Sequence, residues 1–308
     1  MSKQTTSQLM MVRPASFQFN IETAVSNAFQ KSLENLSAEE IKQKAVAEFD
    51  AYVEKLRQHG VSVLVIEDTA MPQKPDAIFP NNWISMQANG TVYLYPMCTP
   101  NRRLEKRLEI VEELKSIFKI NEVIDLSAYE NQHQFLEGTG SIIFDHVNKK
   151  AYACLSPRTE IAAFEAHCAQ LKYEPISFFS EDENEHLVYH TNVMLTIGNG
   201  FAVICLASIK NEDERKKVLN SFDETNHEII DISFEQMNAF AGNMLQVENA
   251  AGDTFLVMSK TAFNSLEQPQ IQQIQKYTKI LSVEIPTIET IGGGSARCML
   301  AEIFLEKK

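Results

Sequence analysis

The sequence lacks any run of about 18 consecutive apolar residues, the length that a membrane-spanning helix requires. Its first residues, MSKQTTSQLMMVRP, also lack the apolar stretch of a signal peptide, so we expect no secretory leader. Basic residues are few, since 28 Lys and Arg stand against 41 Asp and Glu and the net charge is −13. An acidic surface of this kind repels nucleic acid and anionic membranes, and we expect neither as a partner.

Cysteine is scarce as well. The five residues are Cys98, Cys154, Cys168, Cys205 and Cys298. Their number is odd and no two of them have the spacing of metal ligands, so the pattern favours reduced thiols in a cytoplasmic protein. We expect no metal site and no organic cofactor. Free cysteine is often buried, and most of these residues are expected in the core.

A repeat occupies the middle of the chain. Four segments share one pattern: FPNNWISMQANGTVYLYPM, EGTGSIIFDHVNKKAYACLS, HTNVMLTIGNGFAVICLAS and AGNMLQVENAAGDTFLVMS. Each begins with small or polar residues, continues as a short apolar strand, turns, and ends as a second apolar strand. Aligned on Asn82, Gly140, Asn192 and Asn243, the segments begin 58, 52 and 51 residues apart.

A helix and a third strand are predicted after each hairpin. The helices are expected at residues 103–118, 158–171, 210–222 and 259–277, and the strands at VIDLS, PISFF, IIDIS and LSVEIP. The two ends of the chain supply a fifth unit from a strand at 9–19, a helix at 38–58, a strand at 61–67 and the segment GGGSARCMLAEIFL. We expect the residues that follow Cys298 to form a buried final helix.

A period of about 50 residues is typical of repeat architectures, in which each unit covers the apolar faces of its neighbours. The sequence therefore predicts an α/β fold, a five-bladed α/β propeller of strand-strand-helix-strand units, with residues 1–308 as a single catalytic domain. An ordinary two-domain α/β protein is the alternative. In the propeller, the polar residues that begin the hairpins converge on the central channel.

Cys298 is the candidate nucleophile. It follows Gly292, Gly293 and Gly294, which permit a tight turn, and a helix start together with Arg297 is expected to favour its thiolate. A buried structural cysteine is the plainer alternative. A lone cysteine with a separate histidine and carboxylate is the general pattern of cysteine nucleophiles.

His190 and Glu137 lie at two other predicted hairpin mouths, in YHTN and LEGTGS. The histidine is the candidate acid/base, and the carboxylate can orient it. Arg103 and Arg158 are placed to hold a substrate carboxylate through two-pronged hydrogen bonds. Taken singly, each residue also has an ordinary structural interpretation: a packed histidine, a turn carboxylate or a solvated arginine.

Together these residues resemble the guanidine-modifying (pentein) superfamily, which includes arginine deiminases, dimethylarginine hydrolases and amidinotransferases. The resemblance extends over nearly the whole chain. It implies that Cys298 is the nucleophile, His190 the general acid/base and Glu137 the carboxylate beside it. It also implies that Arg103 and Arg158 bind the α-carboxylate of an amino acid. Asp76, in PDAIF, then holds the α-amino end.

Two positions differ from the usual deiminase pattern. Asn82, in FPNNW, and Asn192, in HTN, stand where deiminases more often carry acids that pair with a cationic guanidinium. An amide offers both a donor and an acceptor, which suits a neutral ureido group. FPNNW, HTN and GGGSARCML look most like the citrulline hydrolases, which convert citrulline to ornithine, ammonia and carbon dioxide.

The resemblance therefore predicts hydrolysis of a small amino acid through a covalent Cys298 intermediate, with citrulline as the substrate. Three alternatives stay open at this point. The chain can be a deiminase or dihydrolase of arginine or its derivatives, an amidinotransferase, or a non-catalytic binding ring like the ribosome anti-association factor. A homo-oligomer is left open as well.

Overall fold

The computed structural model describes residues 3–32 and 36–308. There the chain forms five three-stranded sheets, each an antiparallel pair with a third strand added in parallel. The first blade joins both ends of the chain and consists of β1 (Gln8–Arg13), β2 (Ser62–Glu67) and β15 (Ala301–Glu302). The other strands are β3 (Ile84–Met86), β4 (Thr91–Leu94), β5 (Glu122–Asp125), β6 (Ile143–Asp145), β7 (Lys150–Cys154), β8 (Glu174–Phe178), β9 (Leu195–Gly198), β10 (Phe201–Ile204), β11 (Glu228–Asp231), β12 (Leu245–Glu248), β13 (Thr254–Ser259) and β14 (Lys279–Val283).

Helices connect the second strand of each blade to the third, and shorter helices lie in the connections between blades. They are α1 (Ile21–Ala24), α2 (Ala38–Gln58), α3 (Pro100–Arg103), α4 (Leu108–Ile117), α5 (Gly138–Ser141), α6 (Ile161–Leu171), α7 (Thr191–Met194), α8 (Glu212–Glu224), α9 (Phe234–Asn238), α10 (Lys260–Ser265), α11 (Gln268–Gln275) and α12 (Pro286–Gly292). The longest, α2, begins at a capping box between Ser37 and Glu40. It buries residues spaced three or four apart, which is the amphipathic pattern of a helix on a sheet.

Hydrophobic clusters join each blade to the next in a cyclic order. One cluster spans the three blades of β6–β14, and a second joins β12–β14 to the blade that contains both ends of the chain. A third joins that blade to β3–β5, and a fourth joins β3–β5 to β6–β8. The prediction of an α/β fold from five repeated units is confirmed. Within residues 3–32 and 36–308, no helix has the length and apolar character to span a membrane.

Several predicted boundaries are wrong in instructive ways. The helix expected at 103–118 is two helices, α3 and α4, and the one expected at 259–277 breaks before Pro269, which lies in the first turn of α11. The strand expected at 9–19 ends at Arg13, because Pro14 has no amide hydrogen to continue the ladder. The buried final helix is absent: Ala301 and Glu302 pair with β1 as a strand instead. Apolar residues alone do not distinguish a short buried strand from a helix.

Candidate active site

Short helical turns end at the mouths of the hairpins and carry the candidate residues. A 3₁₀ turn at Pro80–Asn82 precedes β3, α5 precedes β6, α7 precedes β9, and a 3₁₀ turn at Ala296–Met299 precedes β15. The repeated unit thus places one such turn at the same end of successive blades. The site is enclosed, since Cys298, His190 and Glu137 are 4%, 2% and 0% exposed.

The Cys298 thiol lies against two amide groups. Asn192 Nδ2 donates to Cys298 Sγ at 3.3 Å, and Asn243 Nδ2 donates to the same sulfur at 3.2 Å. Asn243 is held in turn, because its Oδ1 accepts from the Arg297 backbone N–H at 3.0 Å and its Nδ2 donates to the Asn192 carbonyl at 2.9 Å. We call Cys298, Asn192 and Asn243 the thiol side of the site. Both amides therefore direct a hydrogen-bond donor at the same sulfur.

His190 and Glu137 form a buried pair, with His190 Nε2 2.8 Å from Glu137 Oε2. The other oxygen of Glu137 accepts from the Cys98 backbone N–H at 2.9 Å. Burial opposes ionisation of Glu137, but Arg158, His190 and Arg102 outweigh it and lower the pKa of Glu137 to about 2. Burial also lowers the pKa of His190 to about 4, against the pull of Glu137. At neutral pH the imidazole is therefore uncharged, Nε2 carries the hydrogen that faces the carboxylate, and Nδ1 is free to accept a proton.

Gly140 allows the imidazole to approach the backbone of α5. A side-chain carbon at this position would lie 2.8 Å from His190 Nδ1 and 2.3 Å from Asn82 Nδ2. Both contacts are far inside van der Waals distance. Any larger residue would displace the histidine or the amide, so glycine at 140 keeps both side chains in the site.

Buried charges form a second part of the site, which we call the charged side and define as Asp76, Arg102, Glu105, Glu137 and Arg158. Arg102 binds both carboxylate oxygens of Glu105, with Nε and Nη2 each at 2.9 Å. It also lies 3.8 Å from Asp76 Oδ2 and 3.9 Å from Glu137 Oε2. These carboxylates outweigh burial and raise the pKa of Arg102, so its charge is permanent. Burial raises the pKa of Asp76 despite Arg102.

Arg158 is buried beside Tyr189 and Glu137. Its guanidinium lies 4.9 Å from the centre of the Tyr189 ring, and its Nη1 is 3.7 Å from Glu137 Oε2. Its other donors bind Ser26 Oγ at 2.7 and 3.0 Å and the Thr23 carbonyl at 3.0 Å. Nη1 is therefore the atom of Arg158 that faces the interior of the site.

The residues that Arg158 binds belong to a segment, residues 20–31, that hydrogen-bonds to several parts of the site. We call it the cover segment. Asn20 Nδ2 donates to Asp76 Oδ2 at 2.8 Å, Thr23 Oγ1 donates to the same oxygen at 3.2 Å, and Asn27 Nδ2 donates to the Gly293 carbonyl at 3.3 Å. The cover segment thus connects the charged side to the glycine turn before Cys298. No sequence pattern in these residues indicated this contribution.

The structure brings together seven of the eight residues that the sequence analysis named. Cys298, His190, Glu137, Asp76, Asn82, Arg158 and Asn192 all lie in the enclosed site. Arg103 lies at its rim, where about a third of its side chain is exposed and its guanidinium binds the Met97 and Cys98 carbonyls at 3.0 and 3.3 Å. The roles of these residues stay predictions.

Arg102 and Asn243 complete the site, and sequence reasoning did not assign a role to either. Asn243 was named only as a residue converging on the channel. The pair Arg102-Arg103 carried a signal for Arg102, because Glu105 follows at a spacing of three, which brings the two side chains together on a helical turn. Arg297 differs from expectation too: its guanidinium binds the Leu300 carbonyl and Glu302, so the amides of the thiol side lie beside the sulfur in its place.

The arrangement can carry out nucleophilic catalysis in an enclosed space. It offers a thiol with two amide donors, a neutral imidazole with a carboxylate partner, and fixed charges for a zwitterionic substrate. Among the described residues, no three His, Cys, Asp or Glu side chains are grouped to hold a metal ion.

Comparison with known proteins agrees with this geometry. The family model of eukaryotic N,N dimethylarginine dimethylhydrolase matches residues 13–305. No curated protein sequence matches the chain significantly.

Solved structures share the fold at low sequence identity. The arginine dihydrolase ArgZ of the ornithine–ammonia cycle in cyanobacteria superposes with a TM-score of 0.75 and 15% identity over 96% of this chain, which spans 40% of the ArgZ chain. The substrate-bound N-terminal domain of ArgZ gives a TM-score of 0.74 at 14% identity, covering 96% of this chain and 97% of that domain. A dimethylarginine dimethylaminohydrolase adduct with S-methyl-L-thiocitrulline gives 0.63 at 15% identity, covering 98% of this chain and 100% of the other.

The model match extends over nearly the whole sequence, and the five sheets agree with those of the solved structures. The chain belongs to the N,N dimethylarginine dimethylhydrolase family, within the guanidine-modifying superfamily.

Proposed function

We propose that this chain is a cysteine hydrolase that removes the terminal nitrogens of arginine and leaves ornithine, as an arginine dihydrolase does. The observation that carries the proposal is the enclosed site, in which two amides contact Cys298 Sγ and Glu137 pairs with His190, two residues before one of those amides. Similarity to ArgZ supports arginine as the substrate over the citrulline that the sequence motifs suggested.

The first hydrolysis begins when Cys298 Sγ attacks the terminal guanidino carbon. Neutral His190 accepts the thiol proton at Nδ1 and returns it to a terminal nitrogen, which leaves as ammonia while the carbon stays bonded to sulfur. His190 then takes a proton from water, the hydroxide adds to the same carbon, and the C–S bond breaks. The products are citrulline and the free thiol.

The second hydrolysis repeats these steps on the ureido carbon of citrulline. Attack by sulfur places negative charge on the ureido oxygen, the remaining terminal nitrogen leaves as ammonia, and a thiocarbamate remains on Cys298. Water releases a carbamate, which decomposes to carbon dioxide and ornithine. Ureas are poor electrophiles, so positioning and donors at the developing oxyanion must lower this barrier.

The amino-acid end of the substrate belongs with the charged side. Asp76 Oδ1 is buried and has no hydrogen-bond partner within the described part of the chain, so it is available for the α-ammonium. Arg158 Nη1 and, from the rim, Arg103 are placed to receive the α-carboxylate. Closure of the cover segment on Asp76 and Arg158 then holds the substrate.

Hydrolysis of citrulline alone is the second candidate. Among the described residues, the side chains that hydrogen-bond Cys298 Sγ are amides and none is a carboxylate. A neutral ureido group loses nothing there, whereas a buried guanidinium without an adjacent anion is costly. The family description adds dimethylarginine as a third substrate to test.

Product analysis distinguishes these substrates. Purified protein is incubated separately with arginine, citrulline and N,N-dimethylarginine, and amino acids and ammonia are measured by chromatography. We expect ornithine from both arginine and citrulline, with two ammonia released per arginine. The Cys298→Ala variant, which should be inert, controls for contaminating activity.

Other product patterns would contradict the dihydrolase proposal. Ornithine from citrulline with arginine unchanged would establish the citrulline hydrolase instead. Citrulline accumulating from arginine without ornithine would establish a deiminase, and citrulline formed from dimethylarginine alone would establish the activity for which the family is named.

A further inference from the structure

The Asn82 amide is oriented by a charged residue, Arg102. Arg102 Nη1 donates to Asn82 Oδ1 at 2.7 Å, and the remaining edge of the guanidinium is fixed on Glu105 by two bonds of 2.9 Å. Arg102 is 2% exposed and Glu105 is 2% exposed, so water does not compete for these groups.

This contact fixes the direction of the Asn82 amide. A guanidinium has only donors, so the Asn82 oxygen must face Arg102 and the nitrogen must face away from it. A rotated amide would place two donors against each other in a buried site. The Arg102–Glu105 pair therefore determines which group Asn82 presents to a substrate.

The group that Asn82 presents is a donor without a partner. Asn82 Nδ2 is buried and makes no hydrogen bond within residues 3–32 and 36–308. Asn82 Nδ2 and His190 Nδ1 both lie within 3 Å of the point that a Gly140 side chain would occupy, so the free donor lies beside the acid/base. Buried unpaired donors of this kind are uncommon and indicate a group that a ligand completes.

Asn192 presents the opposite group. Its Nδ2 is occupied by Cys298 Sγ, while its Oδ1 is buried and has no hydrogen-bond partner in the described ranges. The enclosed site therefore offers a free amide donor from Asn82 and a free amide acceptor from Asn192.

A ureido group matches this pair and a guanidinium does not. The ureido group has a carbonyl oxygen that accepts from Asn82 and an amino group that donates to Asn192. A guanidinium has donors on every nitrogen, so it would set a donor against Asn82 Nδ2. When sulfur attacks the ureido carbon, the electrons of the C=O bond move to the oxygen that Asn82 faces, and the donor stabilises this charge.

We infer that Arg102, held by Glu105, is a positioning residue that selects for the ureido group by fixing the Asn82 amide with its nitrogen toward the substrate. The inference rests on the proposed function, because it concerns the second of the two hydrolyses. Arg102 thereby determines which fraction of the arginine is converted to ornithine and which fraction is released as citrulline.

Two variants test whether Arg102 acts by orienting the Asn82 amide or only by filling space in the site. Lysine at position 102 still has only donors, so Arg102→Lys should keep the Asn82 oxygen facing it. In the double variant Arg102→Gln/Glu105→Gln, an uncharged amide can donate or accept, and Asn82 is free to rotate. Replacing both partners avoids leaving the buried Glu105 carboxylate without its arginine.

Two ratios are measured. The first is kcat/KM for citrulline divided by kcat/KM for arginine, and the second is the amount of ornithine relative to citrulline that is produced from arginine. Arg102→Lys should keep the parent ratios. Arg102→Gln/Glu105→Gln should lower the preference for citrulline by about tenfold or more, the effect of one misdirected buried hydrogen bond. Lys150→Met, which removes a mostly buried lysine that binds Glu174 and Glu224 in another blade, is the matched control and should leave both ratios unchanged.

Asn82→Asp tests the same inference if the double variant does not fold. The aspartate keeps the shape and the contact with Arg102 but presents an acceptor where Asn82 presents a donor. Citrulline hydrolysis should then fall, and citrulline should accumulate from arginine.

The outcomes separate this inference from the proposed function. If the parent forms ornithine and the ratios do not change in folded Arg102→Gln/Glu105→Gln or in Asn82→Asp, the role of Arg102 is wrong and the dihydrolase proposal stands. If the parent forms no ornithine from either substrate, the proposed function is wrong and this inference is wrong with it.

Discussion

The two sides of the enclosed site solve different problems with different chemical groups. The charged side links Asp76, Arg102, Glu105, Glu137 and Arg158 through contacts of 4 Å or less, whereas the side chains that hydrogen-bond the sulfur among the described residues are amides. Fixed charges suit the ends of a zwitterion, and Glu137 hydrogen-bonds the histidine. Amides donate to sulfur without adding a charge that would repel or trap the reacting group. On the proposed function, the charged side binds the ends of the substrate and orients the histidine, whereas the thiol side carries the covalent step.

Removing the sulfur from the thiol side should have the largest effect. Cys298→Ala should lower kcat by about 10⁴-fold or more, as loss of a covalent nucleophile does, and Cys298→Ser should be nearly as inactive because a hydroxyl is a weaker nucleophile. Ammonia release with arginine measures it. Cys168→Ala, in α6 and away from the site, is the control. An active serine variant would refute covalent catalysis by Cys298.

Breaking the carboxylate–histidine pair comes next. Glu137→Gln keeps the shape of the side chain but removes the charge that orients His190. It should lower kcat by about 10²–10⁴-fold, the size of a general acid–base contribution. Steady-state kinetics with citrulline checks the prediction. If the variant retains parental kcat, Glu137 is a structural carboxylate and the charged side has no part in proton transfer.

Arg158 tests recognition by the charged side. Arg158→Ala should lower kcat/KM for arginine. The expected loss of transition-state binding energy is about 2–5 kcal/mol, the cost of losing a desolvated charge-assisted pair. Agmatine, which lacks the α-carboxylate, should lose much less. Equal losses on both substrates would show that Arg158 acts only by anchoring the cover segment through Ser26 and Thr23.

Asn243 tests the thiol side without removing the sulfur. Asn243→Ala removes one of two donors to Sγ, which should slow alkylation by iodoacetamide at neutral pH by about tenfold, the value of one hydrogen bond to a charged group. Mass spectrometry of the Cys298 peptide measures the rate. An unchanged rate would mean that the Asn243 contact has no bearing on the thiolate.

The smallest expected effect is on the pH dependence of kcat/KM, which should respond to a change on the charged side and not to one on the thiol side. Burial lowers the pKa of His190 to about 4, so the imidazole stays neutral as the pH falls from 6.5 and kcat/KM should decline only as the pH approaches 4. Because Glu137 raises the pKa of His190, Glu137→Gln should move this decline to lower pH, while Asn243→Ala should leave it in place. A parental decline centred near 6.5 would contradict a buried neutral His190.

Periodicity predicted the blades well because each hairpin is local. Alternating apolar runs around Asn89-Gly90 or Asn199-Gly200 specify a turn and two strands within twenty residues, and the repeat of that unit specifies the ring. The convergence of Cys298, His190 and Glu137 followed from this repeat, since equivalent positions in each unit lie at the same end.

The direction of a side chain within a short turn could not be predicted from the sequence. Arg102 and Arg103 are neighbours on one four-residue helix, yet one is buried against Glu105 and the other lies at the rim, which depends on the phase of α3. The cover segment was missed for a related reason. Asn20, Thr23 and Ser26 are ordinary polar residues, and their role arises only from contacts with Asp76 and Arg158, far along the chain.

The central claim is that Cys298 bonds to the terminal carbon of the substrate. Intact-protein and peptide mass spectrometry after acid quench, during turnover of arginine labelled with ¹³C at the guanidino carbon, tests it directly. We predict the labelled carbon on the Cys298 peptide, at a level that decays when substrate is exhausted and is absent in Cys298→Ala. Ornithine formation by the parent protein with no label on this peptide at any quench time, or label on another cysteine, would contradict the account.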